Sequence, residues 1–254
     1  MKGTIVGNLD VAQVTLYLFF LFFAGLVYYL HRESKREGYP LQPDNPAAGT
    51  SPGLGGIPAP KTYKLPHGGT QVSPRDEQDK RPLMAKPSSM APGAPLVPTG
   101  DPMRDGVGPA AWAERSDKPD LTINGKPRII PLRRADGFAI VGHDPDPRGM
   151  KVIGADKKPA GTVLDAWVDV SECLVRYLEV DAGGSRTVLL PINFADVDAR
   201  LKEVRVKAIL ASQFSGVPAT QEPDQVTRRE EDRICGYYGG GTLYATPQRS
   251  EPLL

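Results

Sequence analysis

Residues Val11 to Leu30, VAQVTLYLFFLFFAGLVYYL, run for twenty positions without a single charge. As a helix rising about 1.5 Å per residue, the run reaches roughly 30 Å, the thickness of a bilayer's hydrocarbon core. A soluble helix keeps one polar face, and this one has none, so residues 11–31 read as one membrane-spanning helix. The rest of the chain is polar and punctuated by Pro and Gly. The fold therefore has to join a soluble body to a membrane anchor.

Flanking residues set the orientation. Three basic residues, Arg32, Lys35 and Arg36, follow the span, against Lys2 alone in the first ten positions. The Lys/Arg excess places the long C-terminal part in the cytoplasm and residues 1–10 outside, with Tyr28 and Tyr29 at the headgroup layer. A cleaved secretory signal is disfavoured. Its apolar core is shorter, follows a basic start and ends at small residues, whereas Asp10 precedes this run and Val27-Tyr28-Tyr29-Leu30 closes it. Ala24 and Gly25 form the one small patch between Phe19, Phe20, Phe22 and Phe23, where a neighbouring helix can approach closely.

Composition excludes several classes of function. A net charge of +1 gives no general steering toward nucleic acid. Two cysteines, Cys173 and Cys235, lie far from any CxxC spacing, as in a reducing cytoplasm. Three histidines make a His-based metal site improbable.

Thirteen of the twenty-six prolines fall between Pro40 and Pro98, so long helices and central strands are excluded there. Residues 32–105 read as an extended Pro/Gly-rich segment. A flexible linker is the plain reading of such a segment, but the apolar Tyr39, Leu41, Ile57, Tyr63, Leu65, Leu83, Leu96 and Val97 favour an extended strap anchored on a partner. Tyr63–Pro66 and Thr70–Val72 suggest two short strands about the His67-Gly68-Gly69 turn. Residues 106–254 read as a cytoplasmic β domain, and from about Ile123 the texture becomes β. Val152–Gly154, Thr162–Val170, Leu174–Val180, Arg186–Ile192 and Val204–Leu210 alternate with turn residues at the spacing of a small antiparallel barrel or sandwich. A late helix is expected over 223–238, capped by Glu222 or Asp224 and ended by Gly239-Gly240-Gly241.

No catalytic constellation emerges. The triple glycine lacks the Lys-Ser/Thr of a phosphate loop, and neither G-x-S-x-G nor H-E-x-x-H occurs. The acids are more informative. Asp165, Asp169 and Glu172 lie around Trp167, and Glu230, Glu231 and Asp232 cluster on the late helix. Solvated acids at element ends are the ordinary reading. The functional alternative is a chain of carboxylates that passes protons, since partly buried carboxyls near like charges titrate closer to neutral pH.

Read in order, several stretches resemble the H subunit of the photosynthetic reaction centre of purple bacteria. They are Arg36-Glu37-Gly38-Tyr39-Pro40-Leu41, Pro60 to Gly68 (PKTYKLPHG), Pro98-Thr99-Gly100-Asp101-Pro102, Asp105 to Ala110 (DGVGPA), Trp167-Val168-Asp169 and Glu230 to Tyr237 (EEDRICGY). The resemblance runs essentially from end to end. It implies a single N-terminal transmembrane helix and a mainly-β cytoplasmic domain, a small PRC-type antiparallel barrel with a short C-terminal helix. The implied role is non-catalytic. The subunit caps the L and M subunits, stabilises the complex, shields the quinone region and assists proton delivery to the secondary quinone. No cofactor is implied in this chain's own domain; bacteriochlorophyll, bacteriopheophytin, quinones, carotenoid and non-haem iron belong to partner subunits. A cytochrome subunit, light-harvesting antenna proteins and membrane lipids are compatible neighbours, and the implied location is the bacterial inner, intracytoplasmic membrane.

Carried over by position, Glu172 corresponds to the carboxylate nearest the quinone's proton path. Asp169, Arg176 and Glu231 correspond to members of the same polar network, and Asp120 lies near the proposed uptake point. The family's surface histidine pair has no counterpart in Thr122–Lys126, so proton uptake is left to carboxylates and water, and no inhibitory zinc site is expected. The alternative reading is a membrane-anchored PRC-barrel adaptor that recruits a different cytoplasmic partner.

Overall fold

The structure, a computed structural model, describes residues 4–6, 9–41, 43, 49–74, 79–91, 93–184 and 186–250. Parts of the Pro/Gly-rich segment, residues 42, 44–48, 75–78 and 92, lie outside the described residues, as do parts of the short N-terminus. The chain forms two compact units, residues 1–78 and 79–254.

In the first unit, β1 (Thr4–Val6) and β2 (Leu9–Asp10) pair antiparallel ahead of helix α1, Val11–Glu33. Asp10 caps α1 by accepting from the Gln13 N–H at 2.8 Å, which satisfies one of the free donors of the first turn. None of the α1 residues is buried within the chain, as befits a surface that meets lipid or other helices. A 3-10 turn, Ser34–Arg36, follows. The Arg36 guanidinium donates to the Ala59 and Ser73 carbonyls at 2.9 and 2.8 Å, and the Lys61 ammonium pairs with Glu33 at 2.7 Å. These contacts fasten the antiparallel hairpin β3 (Lys61–Lys64) and β4 (Thr70–Ser73) to the end of α1. The hairpin about His67-Gly68-Gly69 and its second strand are as expected, but the first strand covers Lys61–Lys64, not Tyr63–Pro66, because Leu65 closes the turn through the Gly68 and Gly69 backbone. Lys35 is buried, its ammonium on the Leu54 carbonyl and 5.5 Å from the Tyr39 ring centroid. The start of the proline-rich segment is thus ordered on the chain's own helix end.

The second unit opens with the hairpin β5 (Ala85–Pro87) and β6 (Leu96–Pro98) and the one-turn helix α2 (Pro102–Asp105). Its centre is a seven-stranded sheet: β7 (Ile129–Pro131), β8 (Lys151–Ile153), β9 (Pro159–Asp169), β10 (Leu174–Asp181), β11 (Thr187–Pro191), β12 (Ala195–Asp198) and β13 (Glu203–Val206). The hydrogen-bonded order is β11-β10-β9-β8-β13-β12, with β7 also pairing on β9. The mainly-β reading holds, with two refinements. The β8–β13 pair is parallel, and the ladder is not closed into a ring among the described residues. β7 and β12 were not expected from the sequence: β7 ends in a proline, and β12 carries an aspartate at every second position, both residue types that strands disfavour.

The core beneath the sheet holds Trp167, Leu178, Leu190, Ile209, Phe214 and Ile234, all below 2 % exposed. Tyr238 reaches into it from the late helix, stacking on Phe194 with centroids 5.7 Å apart and meeting Phe214 edge-on at 6.1 Å.

Helix α3 spans Arg228–Tyr244, not 223–238. Its cap is Thr227, not Glu222 or Asp224: the Thr227 hydroxyl accepts from the Glu230 N–H at 3.2 Å, and the Glu230 carboxylate accepts from the Thr227 N–H at 2.8 Å. The triple glycine lies inside the helix because a neighbour leaves no room for side chains. A Cβ on Gly236 would stand 2.7 Å from the Ala110 carbonyl oxygen, one on Gly239 2.8 Å from the Pro109 carbonyl, and one on Gly240 2.6 Å from the Ala110 Cβ. Close packing on the 3-10 turn Gly108–Ala110 offsets the low helix propensity of glycine.

Candidate functional site

The β9–β10 turn and the residues before β7 build the first polar cluster. Arg128 leads into β7, which pairs with the end of β9 so that Ile129 opposes Asp169. The guanidinium turns each of its three edges to a different carboxylate. Nε donates to Asp169 at 2.9 Å, Nη1 to Asp120 at 3.3 Å, and Nη2 to Glu172. Asp120 also takes a 2.5 Å bond from Arg228 at the start of α3. Three carboxylates thus share two guanidinium cations, leaving one excess negative charge.

Asp169 is buried, its side chain only 1 % exposed. Beyond Arg128 it accepts from the backbone N–H groups of Ser171 and Glu172 at 2.9 and 3.0 Å. Burial works to raise its pKa, but the Arg128 bond and the two backbone donors outweigh it, so the carboxyl lies below its ordinary range. Asp120 behaves alike: desolvation opposes its charge, while the Arg228 bond and the nearby Arg128 charge win and lower its pKa. Glu172 stands at the rim with half its side chain exposed. It lies in a turn whose next residue, Cys173, holds φ at +55°.

Glu231 is the complementary case. One turn into α3, its carboxylate accepts the Tyr177 phenol at 2.8 Å. Desolvation raises its pKa, and the Asp120 and Asp232 charges add to that rise. The Tyr177 bond and the Arg176 charge pull the other way without cancelling it. Arg176 itself is exposed at the irregular register step between Val175 and Tyr177, and acts on Glu231 through its charge.

The structure therefore brings Asp120, Asp169 and Glu172 onto one cation, and Arg176 beside Glu231. The acidic run on α3 divides, because successive helix positions point about 100° apart. Glu230 closes the capping box, Glu231 meets Tyr177, and Asp232 accepts from the Ala113 N–H at 3.0 Å and pairs with Arg115 at 3.0 Å. Asp165 belongs to a different cluster from Asp169. It opposes Glu179 across β9 and β10, and Arg133 spans both, at 3.3 Å from Asp165 and 2.5 Å from Glu179. Trp167 donates its indole N–H to Glu179 at 2.8 Å, while Arg133 continues to Asp224 at 3.0 Å. Arg128, Arg133 and Glu179 were not singled out from sequence. The available signal was the pair of arginines bracketing the apolar Ile129–Leu132. Among the described residues, no group of three or more His, Cys, Asp or Glu is arranged to hold a metal ion.

Comparison with known families decides the affiliation. Residues 3–134, just over half the chain, match the family described as photosynthetic reaction centre, H-chain N-terminal region. The chain belongs to the reaction-centre H-chain family. Residues 141–213 match the PRC-barrel domain, a range that covers β8 to β13 of the sheet. As an H chain it is a component of a photosynthetic reaction-centre complex, with one apolar helix long enough to cross the membrane. Asp169 and Glu172 lie inside the barrel match, Asp120 and Arg128 inside the N-terminal match, and Glu231 beyond both. The cluster around Arg128 is thus assembled from both matched regions.

Proposed function

We propose that this H chain caps the L and M subunits on the cytoplasmic side, stabilises the complex, shields the quinone region from water and assists proton delivery to the secondary quinone. The helix then spans the bacterial inner membrane with its N-terminus periplasmic and the second unit cytoplasmic. Light-driven electron transfer takes place on bacteriochlorophyll, bacteriopheophytin, quinones, carotenoid and non-haem iron held by partner subunits, with a cytochrome subunit and antenna proteins as compatible neighbours. What this chain supplies is orientation, exclusion of water and a path for protons.

One observation carries the reading: a surface carboxylate, Glu172, shares a cation with Asp120 and Asp169 near a half-buried carboxyl, Glu231, whose pKa is raised. The net negative cluster favours proton capture at the surface. Burial and the neighbouring acids favour the protonated form of Glu231 relative to a free carboxyl, the direction a relay requires. Arg176 and Asp120 bias Glu231 in opposite senses and complete the network.

The test is Glu172→Gln in the intact complex. The proton-coupled second electron transfer to the quinone should slow, with primary charge separation unaffected. Identical kinetics across about pH 5 to 9 would remove Glu172 from the proton path.

A further inference from the structure

The proton-path reading names five residues, and Arg128 is not among them, yet it touches three of the five. We propose that Arg128 is a positioning residue for proton delivery: it presents the Glu172 carboxylate at the rim of the cluster, with Asp169 as its anchor. The inference rests on the function proposed above and divides the labour within it.

The geometry separates carrier from anchor. Glu172 is half exposed, and Arg128 is its one side-chain partner among the described residues. A half-exposed glutamate held at a single point would otherwise sample several rotamers. Arg128 is itself held from two other sides, by Asp169 on Nε and Asp120 on Nη1, so its third edge has a fixed direction. Asp169 fixes both ends of this arrangement. It binds the guanidinium, and it accepts the N–H groups of Ser171 and Glu172, shaping the turn that carries Glu172. A carboxylate only 1 % exposed, with Arg128, Ser171 and Glu172 all donating to one of its oxygens, is held in a single orientation by those three bonds. Asp169 is therefore the fixed member of the cluster, while Glu172, with one side-chain donor and half its side chain exposed, is the accessible one.

A planar guanidinium is required because three acids approach along three edges. An ammonium is a point charge with no such fork. The assignment predicts that Arg128 acts through Glu172 and adds nothing once Glu172 is gone.

The experiment uses the intact complex purified from its native membrane, with the rate of the proton-coupled second electron transfer as the readout. Arg128→Ala should slow that rate by roughly 10- to 100-fold, the scale of a misplaced reacting group. Millimolar guanidinium ion should restore part of the loss, and the same concentration of sodium should not. Adding Arg128→Ala to Glu172→Gln should leave the rate within about twofold of Glu172→Gln alone. A purely structural Arg128 would lower the yield of complex, leave the rate per complex unchanged and gain nothing from guanidinium. Should Arg128→Ala fail to assemble, Arg128→Lys is read in the same way: a slowed second transfer supports the assignment, and a wild-type rate overturns it. The two levels separate cleanly. A slow Glu172→Gln with a wild-type Arg128 variant sinks this inference alone, whereas a wild-type Glu172→Gln sinks the proton-path role beneath it.

Discussion

Substituting Gly236 by alanine sets two effects of known size against each other. Alanine is favoured over glycine inside a helix by about 1 kcal/mol, so the change ought to stabilise α3 in isolation. In the folded chain the new Cβ would sit 2.7 Å from the Ala110 carbonyl oxygen and 3.3 Å from that of Ala111. Both contacts are with backbone, which cannot rotate aside as a side chain can, so α3 must lift from the Gly108–Ala110 turn. Overpacking of this kind costs about 1–3 kcal/mol, and the shift also loosens Ile234 and Tyr238 in the core. The clash should win, for a net loss of up to about 2 kcal/mol, or up to roughly 8 °C in Tm for a body of this size. Thermal unfolding of the detergent-solubilised chain, followed by helical circular dichroism, measures it. A Gly236→Ala protein that melts at or above wild type would refute the claim that close approach explains the glycines in this helix.

Two further outcomes follow from the clusters. Glu231 has a folded pKa above its unfolded value, so its contribution to stability is full at acid pH and is lost as pH rises through the folded value. Glu231→Gln keeps an acceptor for Tyr177 and removes that loss. The variant's Tm should therefore gain on wild type as pH rises above the ordinary glutamate value of about 4.5, and a relative decline over that rise would mean the carboxyl is lowered instead. Arg133→Met should destabilise the second unit by about 2–3 kcal/mol in urea titrations. Asp165 and Glu179 would keep buried charge without its cation, and the 42 % exposure of Arg133 places the loss below the figure for a fully enclosed pair; an unchanged midpoint would show that solvent already screens both acids.

The parts of the fold legible in the sequence are those with an unbroken local signal. Val11–Leu30 declares itself by twenty apolar positions, β3 and β4 by the His67-Gly68-Gly69 turn, and β9 and β10 by β-branched runs with turn residues at their ends. What stayed hidden depends on distant neighbours. A glycine that ends a helix and one that admits a backbone into its flank look the same, and only Ala110, more than a hundred positions away, tells them apart. The acids were visible as candidates, but their grouping was not. Asp165 and Asp169 stand four residues apart on one strand, and each is claimed by a different arginine from the segment carrying β7. Glu179 was overlooked because its partner, the Trp167 indole, meets it across two strands.

Strand β9 carries a consequence for how such a site can change over time. Asp165, Trp167 and Asp169 occupy odd steps of one ribbon, while Ala166 and Val168 take the even ones and face the opposite side. Parity, more than identity, decides which way a carboxylate looks. Inserting or deleting one residue upstream in this strand would turn the acids into the apolar surroundings of Ala166 and Val168 and bring two aliphatics to Arg128 and Arg133, with the chain's overall make-up almost unchanged. Lineages that keep the proton path should tolerate many substitutions here but very few single-residue length changes.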